Sequence, residues 1–210
     1  MGVALQLPSK NSTMRLQQGF QLIELLTVLA ILGLAAAVSV PQIVSAIAGV
    51  RLRSAASELV STLRLARSEA IERSANVAVR FEPKPNGNAT FTLFRDGDDD
   101  GVLNADIAAG VDRAVGPPRR LAALGQGARF GFPRGTPPTD PGDPRRPLDR
   151  LDDPIRFNNS NLASFDPLGG STPGSLYLTD GVDRLVAVRV VGRTGRVRVL
   201  TWAASSRRWH

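Results

Sequence analysis

Carboxylates at alternating positions are the first residues in this chain whose types and spacing suggest chemistry. The stretch "DGDDDGVLNADI", residues 96–107, contains Asp96, Asp98 and Asp100 and then a glycine. Oxygen ligands at this spacing, with a glycine at the sharp turn, are typical of a calcium loop. The twelfth position is Ile107 instead of a bidentate glutamate. A calcium site and a solvated acidic hairpin both remain open, and the sequence suggests no cofactor other than calcium.

Arginines form a second group near the carboxyl-terminal end. The stretch "VVGRTGRVRVLTWAASSRRWH", residues 190–210, contains Arg193, Arg196 and Arg198 together with both tryptophans of the chain. Arginine contacts phosphate and aromatic rings stack on bases, as on DNA-binding surfaces. The same alternation also fits an edge strand whose arginines face water. Two interpretations therefore remain open: DNA contact through Arg193, Arg196 and Arg198, or a structural basic strand.

Composition argues against an enzyme. Among 210 residues there is no cysteine, and the single histidine is His210, at the end of the given sequence, where chains usually fray. Disulfides and thiolate metal sites are excluded, and a catalytic triad would depend on a frayed segment. We therefore predict a non-enzymatic protein. The net charge of +7 permits contact with DNA or anionic lipid without indicating either.

A single carboxylate, Glu24, lies at the start of a long apolar segment. No residue from Leu25 to Val50 is charged. A helix of this length extends roughly 39 Å, which exceeds the ~30 Å hydrocarbon core of a bilayer. Pro41 lies inside the segment and predicts a kink or a loosened turn. A charge at the bilayer centre costs about 2.5–3.5 kcal/mol, so the position of Glu24 requires an explanation.

Three interpretations of the apolar segment compete. A plain transmembrane anchor explains its length but not Glu24. A secretory signal fits Lys10 and Arg15 before the segment and "AAAVS", residues 35–39, as a cleavage site, with release after Ala37. The third interpretation is a leader that is cut before the apolar segment.

The rest of the chain predicts an α+β fold. Apolar residues recur at spacings of three and four through residues 51–75, so we predict one long helix from Phe20 to Ser74. Its first part is the apolar segment, and we expect its amphipathic second half to lie on an antiparallel β-sheet. From residue 76 the apolar period is two, and seven short strands are predicted, in "NVAVRFE", "ATFTLFRD", "ARFGF", "IRFNN", "SLYLTD", "LVAVRVVG" and "GRVRVLTW".

Two connections follow from turn-forming residues. "GRTG", Gly192 to Gly195, separates the last two predicted strands and predicts a hairpin. Residues 133–150 are too rich in proline for a helix or a strand, so we predict an exposed loop. After the apolar segment, the predicted organisation is the amphipathic continuation of the helix (51–75), a β domain (76–202) and a basic tail (203–210).

The amino-terminal residues match a known pattern. "GFQLIELLTVLAILGLAAAVSVPQ" resembles the type IV prepilin signature, with Gly19 before Phe20, a glutamate at the fifth position from Phe20, here Glu24, and a proline at the twenty-second, Pro41. The resemblance implies that prepilin peptidase cuts between Gly19 and Phe20 and methylates the new amine of Phe20. Residues 1–19 are then the leader, and residues 20–50 form the transmembrane and assembly helix. Gln21 departs from the commoner threonine or serine. Because family leaders are often short, Met14 competes with Met1 as the start.

The resemblance also implies a role for Glu24. In related proteins this glutamate is thought to pair with the Phe amine of a neighbouring subunit, since a buried charge is tolerable when paired. Glu24 and Pro41 are therefore predicted assembly residues. Basic residues flank both ends of the segment, so charge counting does not decide orientation. The resemblance implies a single-pass inner-membrane protein with its carboxyl-terminal domain in the periplasm.

Three further features resemble the H-type minor pseudopilins of type II secretion and the FimT-type minor pilins. They are "RSAASELVSTLRLARSEAIERSANVAVRF", a charged loop after the second strand, and "GRTGRVRV". The resemblance implies a pseudopilus component whose partners are other pseudopilins or pilins, prepilin peptidase, the inner membrane and a secreted protein. The alternative is a FimT-like minor pilin that binds DNA for uptake. A third hypothesis is a secreted β-domain enzyme or binding protein, released after Ala37, whose mature amino terminus is Val38.

Overall fold

The computed structural model describes residues 22–84, 89–121, 127–135 and 137–210. The chain divides into two units, with the boundary between Ile43 and Val44. The predicted cleavage and methylation residues, Gly19 and Phe20, lie outside the described residues. In chain order the elements are α1 (Leu22–Arg73), β1 (Val77–Pro83), β2 (Ala89–Arg95), α2 (Asn104–Ala109), β3 (Arg113–Ala114), β4 (Arg119–Arg120), β5 (Arg129–Phe130), β6 (Ile155–Phe157), β7 (Leu162–Phe165), β8 (Gly174–Thr179), β9 (Leu185–Val191), β10 (Arg196–Ala203) and β11 (Arg208–Trp209).

Helix α1 follows the predicted boundaries closely. Its 52 residues run without interruption through Pro41, and Arg73 lies in its last turn, where a cation is favourable near the helix dipole. One 18-residue window of α1 has a mean hydropathy of 2.4 and none of it is buried. By length and composition, α1 could therefore cross a membrane.

The second half of α1 lies on the sheets, as its apolar spacing predicts. Its buried apolar side chains recur mainly at spacings of three and four. They are Leu52, Ala55, Ala56, Leu59, Val60, Leu63, Ala66 and Ala70. Small alanines on this face let the helix approach the strands closely, while the leucines fill the space between them. The predicted α+β fold, with a long helix on an antiparallel sheet domain, is confirmed.

Two antiparallel sheets share the core beneath α1. The first has the order β3-β2-β1-β7 with β4 also paired to β2, and the second has the order β11-β10-β9-β8-β5 with β6 also paired to β8. Phe81 of β1 lies at the centre of the core, with ring centroids 6.1 Å from Phe91, 6.0 Å from Phe130 and 6.0 Å from Phe157. The sequence did not predict the short elements α2, β3, β4, β7 and β11, because no alternation of apolar and polar residues marks them.

A second, smaller core covers the other face of the second sheet. It contains Tyr177, Leu185 and Trp202 from the strands and Leu148 from the proline-rich loop. Residues 133–150 form neither helix nor strand in the described part of this segment, as predicted, but they are anchored. The indole N–H of Trp209 donates a hydrogen bond to the carbonyl of Thr139 over 2.8 Å.

The segment predicted as a basic tail, residues 203–210, folds back onto the sheet. Trp209 of β11 lies opposite Trp202 of β10, and the ring centroids are 5.2 Å apart. The N–H of His210 donates to the carbonyl of Thr201 over 3.0 Å, and the N–H of Thr201 donates to the carbonyl of His210 over 2.8 Å. The expectation of fraying at His210 is therefore wrong, because backbone pairing and the tryptophan contact hold this end of the chain.

Candidate functional site

The apolar part of α1 is the first candidate surface. Along residues 22–43 every side chain is exposed, including Leu22 at 75% and Leu34 at 72%. Soluble proteins rarely expose a continuous apolar surface of this extent, so this segment suits lipid or other apolar helices. Glu24 lies in the first turn of α1, where its backbone carbonyl accepts a hydrogen bond from the Thr27 hydroxyl over 2.8 Å.

Arginines from distant parts of the chain form the second candidate surface, which we call the arginine groove. Arg64 and Arg67 come from α1, and Arg196 from the start of β10. The groove has a volume of about 370 Å³ and is lined by Arg64, Arg67, Ser68, Ile71, Gly195, Arg196 and Val197. None of these lining residues carries a carboxylate, but the hydroxyl of the lining residue Ser68 donates a hydrogen bond to the carboxylate of Glu72 over 3.1 Å. Three guanidinium groups therefore stand beside one carboxylate, and positive charge is in excess.

Gly195 allows the β9–β10 turn to approach α1. Its φ is +60°, and a Cβ at this position would lie 2.5 Å from the Gly169 carbonyl oxygen and 2.7 Å from Arg67 Nε. Arg67 Nε donates a hydrogen bond to the same Gly169 carbonyl over 3.0 Å. A side chain at residue 195 would therefore both strain the turn and displace Arg67. The hairpin predicted at Gly192–Gly195 is present, closed by Gly195 N–H donating to the Val191 carbonyl over 2.9 Å.

Only part of the predicted DNA-binding set lines this groove. Arg193, Arg196 and Arg198 are all exposed, but of the three only Arg196 lines the arginine groove. Arg198 lies directly opposite Arg189 of β9, a like-charged pair that is unfavourable unless an anion or solvent separates the charges. The role of the three arginines in DNA binding stays a prediction.

Sequence reasoning did not single out Arg64 and Arg67, because arginines on the amphipathic half of α1 read as solvated surface. Their i,i+3 spacing places them on one side of the helix, beside the buried Leu63 and Ala66. That spacing could have indicated a pair of neighbouring arginines. It could not indicate that Gly195, more than a hundred residues later, completes the groove.

The acidic loop, residues 96–112, is the third candidate surface. Asp96 is 7% exposed and its carboxylate accepts four hydrogen bonds. The donors are Asn76 Nδ2 (2.8 Å) and the backbone N–H groups of Asp98 (3.1 Å), Asp99 (2.8 Å) and Gly101 (2.8 Å). Burial alone would raise the pKa of Asp96, but these hydrogen bonds together hold it below its usual range.

Asp112, 2% exposed, closes the other end of the acidic loop. Its carboxylate accepts hydrogen bonds from the N–H groups of Gly97 (3.1 Å) and Leu103 (2.9 Å). Burial, followed by the neighbouring charge of Asp100, raises the pKa of Asp98, and burial followed by the charge of Asp98 raises that of Asp106. The loop therefore concentrates carboxylates that repel one another.

The structure brings together a different carboxylate set from the predicted one. Oxygens of Asp96, Asp98 and Asp112 lie within 4.8 Å of one another, and Asp100 is not part of this group. Asp112 was missed because α2 separates it in sequence from the alternating run. Since Asp96 already accepts four hydrogen bonds, which is the capacity of a carboxylate, the loop is stabilised by its own amides. A calcium site stays a prediction.

The fold and surfaces define a class of protein. A long helix, apolar and exposed first and then packed on antiparallel sheets, is the architecture of pilin-like α+β proteins. A family model described as type II transport protein GspH matches residues 55–199, and the chain belongs to this family. No curated protein and no solved structure matches the chain.

Membership confirms the resemblance to H-type pseudopilins. At the level of the family, the protein is a pseudopilin of type II secretion. The family is a structural, non-enzymatic component of the secretion system, and its members associate with other pseudopilins. The family is anchored in the inner membrane, and α1 is long and apolar enough to supply the anchor.

Proposed function

We propose that this chain is a minor pseudopilin that is processed between Gly19 and Phe20 and assembled into a periplasmic pseudopilus for protein export. The observation that carries the proposal is the exposed apolar half of α1 with one carboxylate, Glu24, in its first turn. Membership of the GspH family supports it independently, because the match begins at residue 55, beyond the apolar half.

The proposed mechanism is mechanical. The exposed side chains of residues 22–43 gain about 25 cal/mol for each Å² of apolar surface removed from water, either in lipid or against equivalent helices of neighbouring subunits. This attraction has no direction, so it does not set the axial position of one helix beside another. A charge pair does set that position, because a buried carboxylate is tolerated only beside its counter-charge.

In this proposal Glu24 supplies the carboxylate, and the methylated amine of Phe20 in a neighbouring subunit supplies the positive charge. Pro41 lies farther along the same segment, as in the prepilin pattern, and we propose it as a second assembly residue. The amino terminus remains on the cytoplasmic side, where prepilin peptidase acts, and the domain lies in the periplasm. There it contacts neighbouring pseudopilins or the secreted protein.

A second candidate function is favoured by the exposure of Arg193, Arg196 and Arg198. These arginines would let a FimT-like minor pilin bind the phosphates of incoming DNA. The two candidates share processing and assembly and differ in what the domain binds.

The test is replacement of Glu24 in the full chain, expressed in a bacterium that depends on it for secretion. We expect the mature amino terminus to be Phe20. We expect Glu24→Gln to be processed and inserted normally but incorporated into pseudopili about tenfold less or lower, because a buried pair has lost one charge. Glu24→Asp, which keeps the charge, should retain more incorporation, and Glu72→Ala, outside the apolar part of α1, is the matched control.

Two results would contradict the proposal. A mature chain that begins at Val38 would show release by a signal peptidase, and undiminished incorporation of Glu24→Gln would show that the carboxylate has no assembly role.

A further inference from the structure

One edge of the second sheet is only partly covered. Strand β10 pairs with β9 from Arg196 to Thr201. On its other side, β11 lies opposite β10 at Trp202 and Ala203. Within the part of the chain that the structure describes, no strand pairs with residues 196–200 on this second side. We call residues 196–200 the open edge.

The open edge presents unpaired backbone groups. In an antiparallel sheet, the N–H and C=O of one residue point to the same neighbouring strand, and the direction alternates along the chain. Thr201 exchanges hydrogen bonds with His210, over 2.8 and 3.0 Å, so its backbone groups point away from β9. Those of Val199 and Val197 therefore point the same way. Among the described residues, neither valine has a backbone hydrogen-bond partner on that side.

The side chains of the open edge alternate between two faces of the sheet. Val197 packs against the main core beneath α1, and Val199, which is 43% exposed, follows on the same face. Leu200 packs against the smaller core on the other face, which Arg198 shares. Arg196 begins the strand and also lines the arginine groove. A strand added here therefore meets valines on one face and arginine on the other.

Positive charge is in excess around the open edge. Arg198 lies directly opposite Arg189 of β9, and in the described ranges neither forms a salt bridge. In the arginine groove, which Val197 lines, three guanidinium groups stand beside the carboxylate of Glu72. Like charges opposite each other are unfavourable, and a carboxylate beside Arg198 on an added strand offsets this repulsion.

Strand β10 has few of the features that keep other strands from adding to an edge. Exposed edges commonly carry proline, a β-bulge or charge. The sequence of β10, "RVRVLTWA", contains no proline, and its register with β9 is continuous. The remaining feature is charge, and it is entirely positive, from Arg196 and Arg198. The open edge therefore disfavours another basic strand, including β10 of a second copy, but not an acidic one.

We propose that the open edge binds an extended acidic segment of a different protein as an added antiparallel strand. Backbone hydrogen bonds to Val197 and Val199 supply the affinity, and carboxylates beside Arg196 and Arg198 supply the specificity. The antiparallel direction is that of β9 and β11, the two strands already paired with β10. The inference deepens the proposed function, in which the domain contacts other proteins, and rests on it for the kind of partner.

Binding of synthetic peptides to the purified full chain in detergent micelles tests the charge preference. The probe is a fluorescently labelled peptide of alternating valine and glutamate, and the control peptide has lysine in place of glutamate. Fluorescence anisotropy should show about tenfold tighter binding of the glutamate peptide, because it complements the arginines. Arg196→Glu combined with Arg198→Glu should reverse the preference.

Backbone methylation separates strand addition from simple charge attraction. In the antiparallel arrangement, the valines of the peptide lie opposite Val197 and Val199 and direct their N–H groups at β10. N-methylation of these valines should therefore weaken binding about tenfold. N-methylation of the glutamates, whose N–H groups point away from β10, should leave binding unchanged. The two methylated peptides carry the same charge, so each is the matched control for the other.

Val199→Pro makes the same test within the protein. The N–H of Val199 points away from β9, so proline removes a donor of the open edge without breaking a hydrogen bond of the sheet. We expect about tenfold weaker binding of the glutamate peptide. Val199→Thr keeps the N–H and should bind normally. Unchanged thermal unfolding confirms that each variant folds, and the methylated peptides test the unmodified chain if Val199→Pro does not.

Equal binding of the two methylated peptides, or weaker binding of the glutamate-methylated one, overturns the proposal. Salt-sensitive binding of duplex DNA that survives Val199→Pro, without binding of the glutamate peptide, assigns the arginines to DNA instead. Incorporation of the unmodified chain into pseudopili is measured in parallel. Normal incorporation without peptide binding rejects the role of the open edge alone, whereas absent incorporation rejects the proposed function.

Discussion

The buried carboxylate of Asp96 stabilises its own loop through hydrogen bonds. All four of its hydrogen bonds come from Asn76 and from the three backbone N–H groups that follow it. An aspartate side chain accepts a hydrogen bond from the backbone N–H two residues later. The aspartates that suggest a metal loop are therefore also typical of a tight turn around a buried carboxylate.

We predict that Asp96→Asn destabilises the domain. The replacement amide has one acceptor oxygen and presents N–H donors to backbone N–H groups, so buried donors lose their partner at a cost of about 1–3 kcal/mol. Urea unfolding of the full chain in detergent micelles, followed by tryptophan fluorescence, measures the change. The matched control is Asp99→Asn, because Asp99 is exposed and has a φ of +69°, which asparagine tolerates well. Equal effects of the two variants would contradict the anchoring role.

At the scale of elements, the amphipathic half of α1 holds the two sheets together. We predict that Leu63→Ala destabilises the domain by about 2–5 kcal/mol, since Leu63 is 0% exposed and its removal leaves a cavity. Leu65→Ala, at a position that is 50% exposed on the same helix, should change stability by less than about 0.5 kcal/mol. The same urea titration gives both free energies of unfolding. Similar losses of stability for Leu65→Ala and Leu63→Ala would contradict the prediction.

The buried face of α1 could be predicted because it depends on local spacing. Leu59, Leu63, Ala66 and Ala70 repeat at three and four residues, and the alternation of β9 and β10 is equally local. The arginine groove could not be predicted, because Arg67 meets Gly169 across 102 residues of sequence and no local pattern reports that distance. For the same reason Asp112 was not assigned to the acidic loop, and Trp209 was not assigned to the sheet.

At the scale of the whole domain, the buried Asp96 and the half-buried Asp180 contribute to the response to acid. Burial would raise the pKa of Asp180, but the N–H groups of Val182, Arg184 and Asp183 and the Arg184 guanidinium hold it below the usual range. Hydrogen bonds also hold the pKa of Asp96 below its usual range, although burial would raise it. A carboxylate whose pKa is lower in the folded protein than in the unfolded chain stabilises the fold at pH values above its unfolded pKa of about 3.9. That stabilisation is lost as the pH falls through the folded pKa.

We therefore predict a plateau of stability from about pH 7 to about pH 5 and a decline below about pH 4. Asp98 and Asp106, whose pKa values are raised, act in the opposite sense: each loses stability as pH rises through its folded pKa, so they offset part of the decline. Urea midpoints across this range provide the measurement. The double variant Asp96→Asn with Asp180→Asn should show a flatter acid limb, and an unchanged limb would assign acid unfolding to other groups.

The order of elements along the chain has a consequence for the time course of folding. Helix α1 precedes every strand on which it packs, and two of its contacts span long separations, Arg67 with Gly169 across 102 residues and Ser45 with Arg184 across 139. Such non-local closure slows folding relative to a helical bundle of equal length. While a ribosome is still making the later strands, the leucines of α1 have no partner, so the packing face of this helix stays exposed until the strands follow.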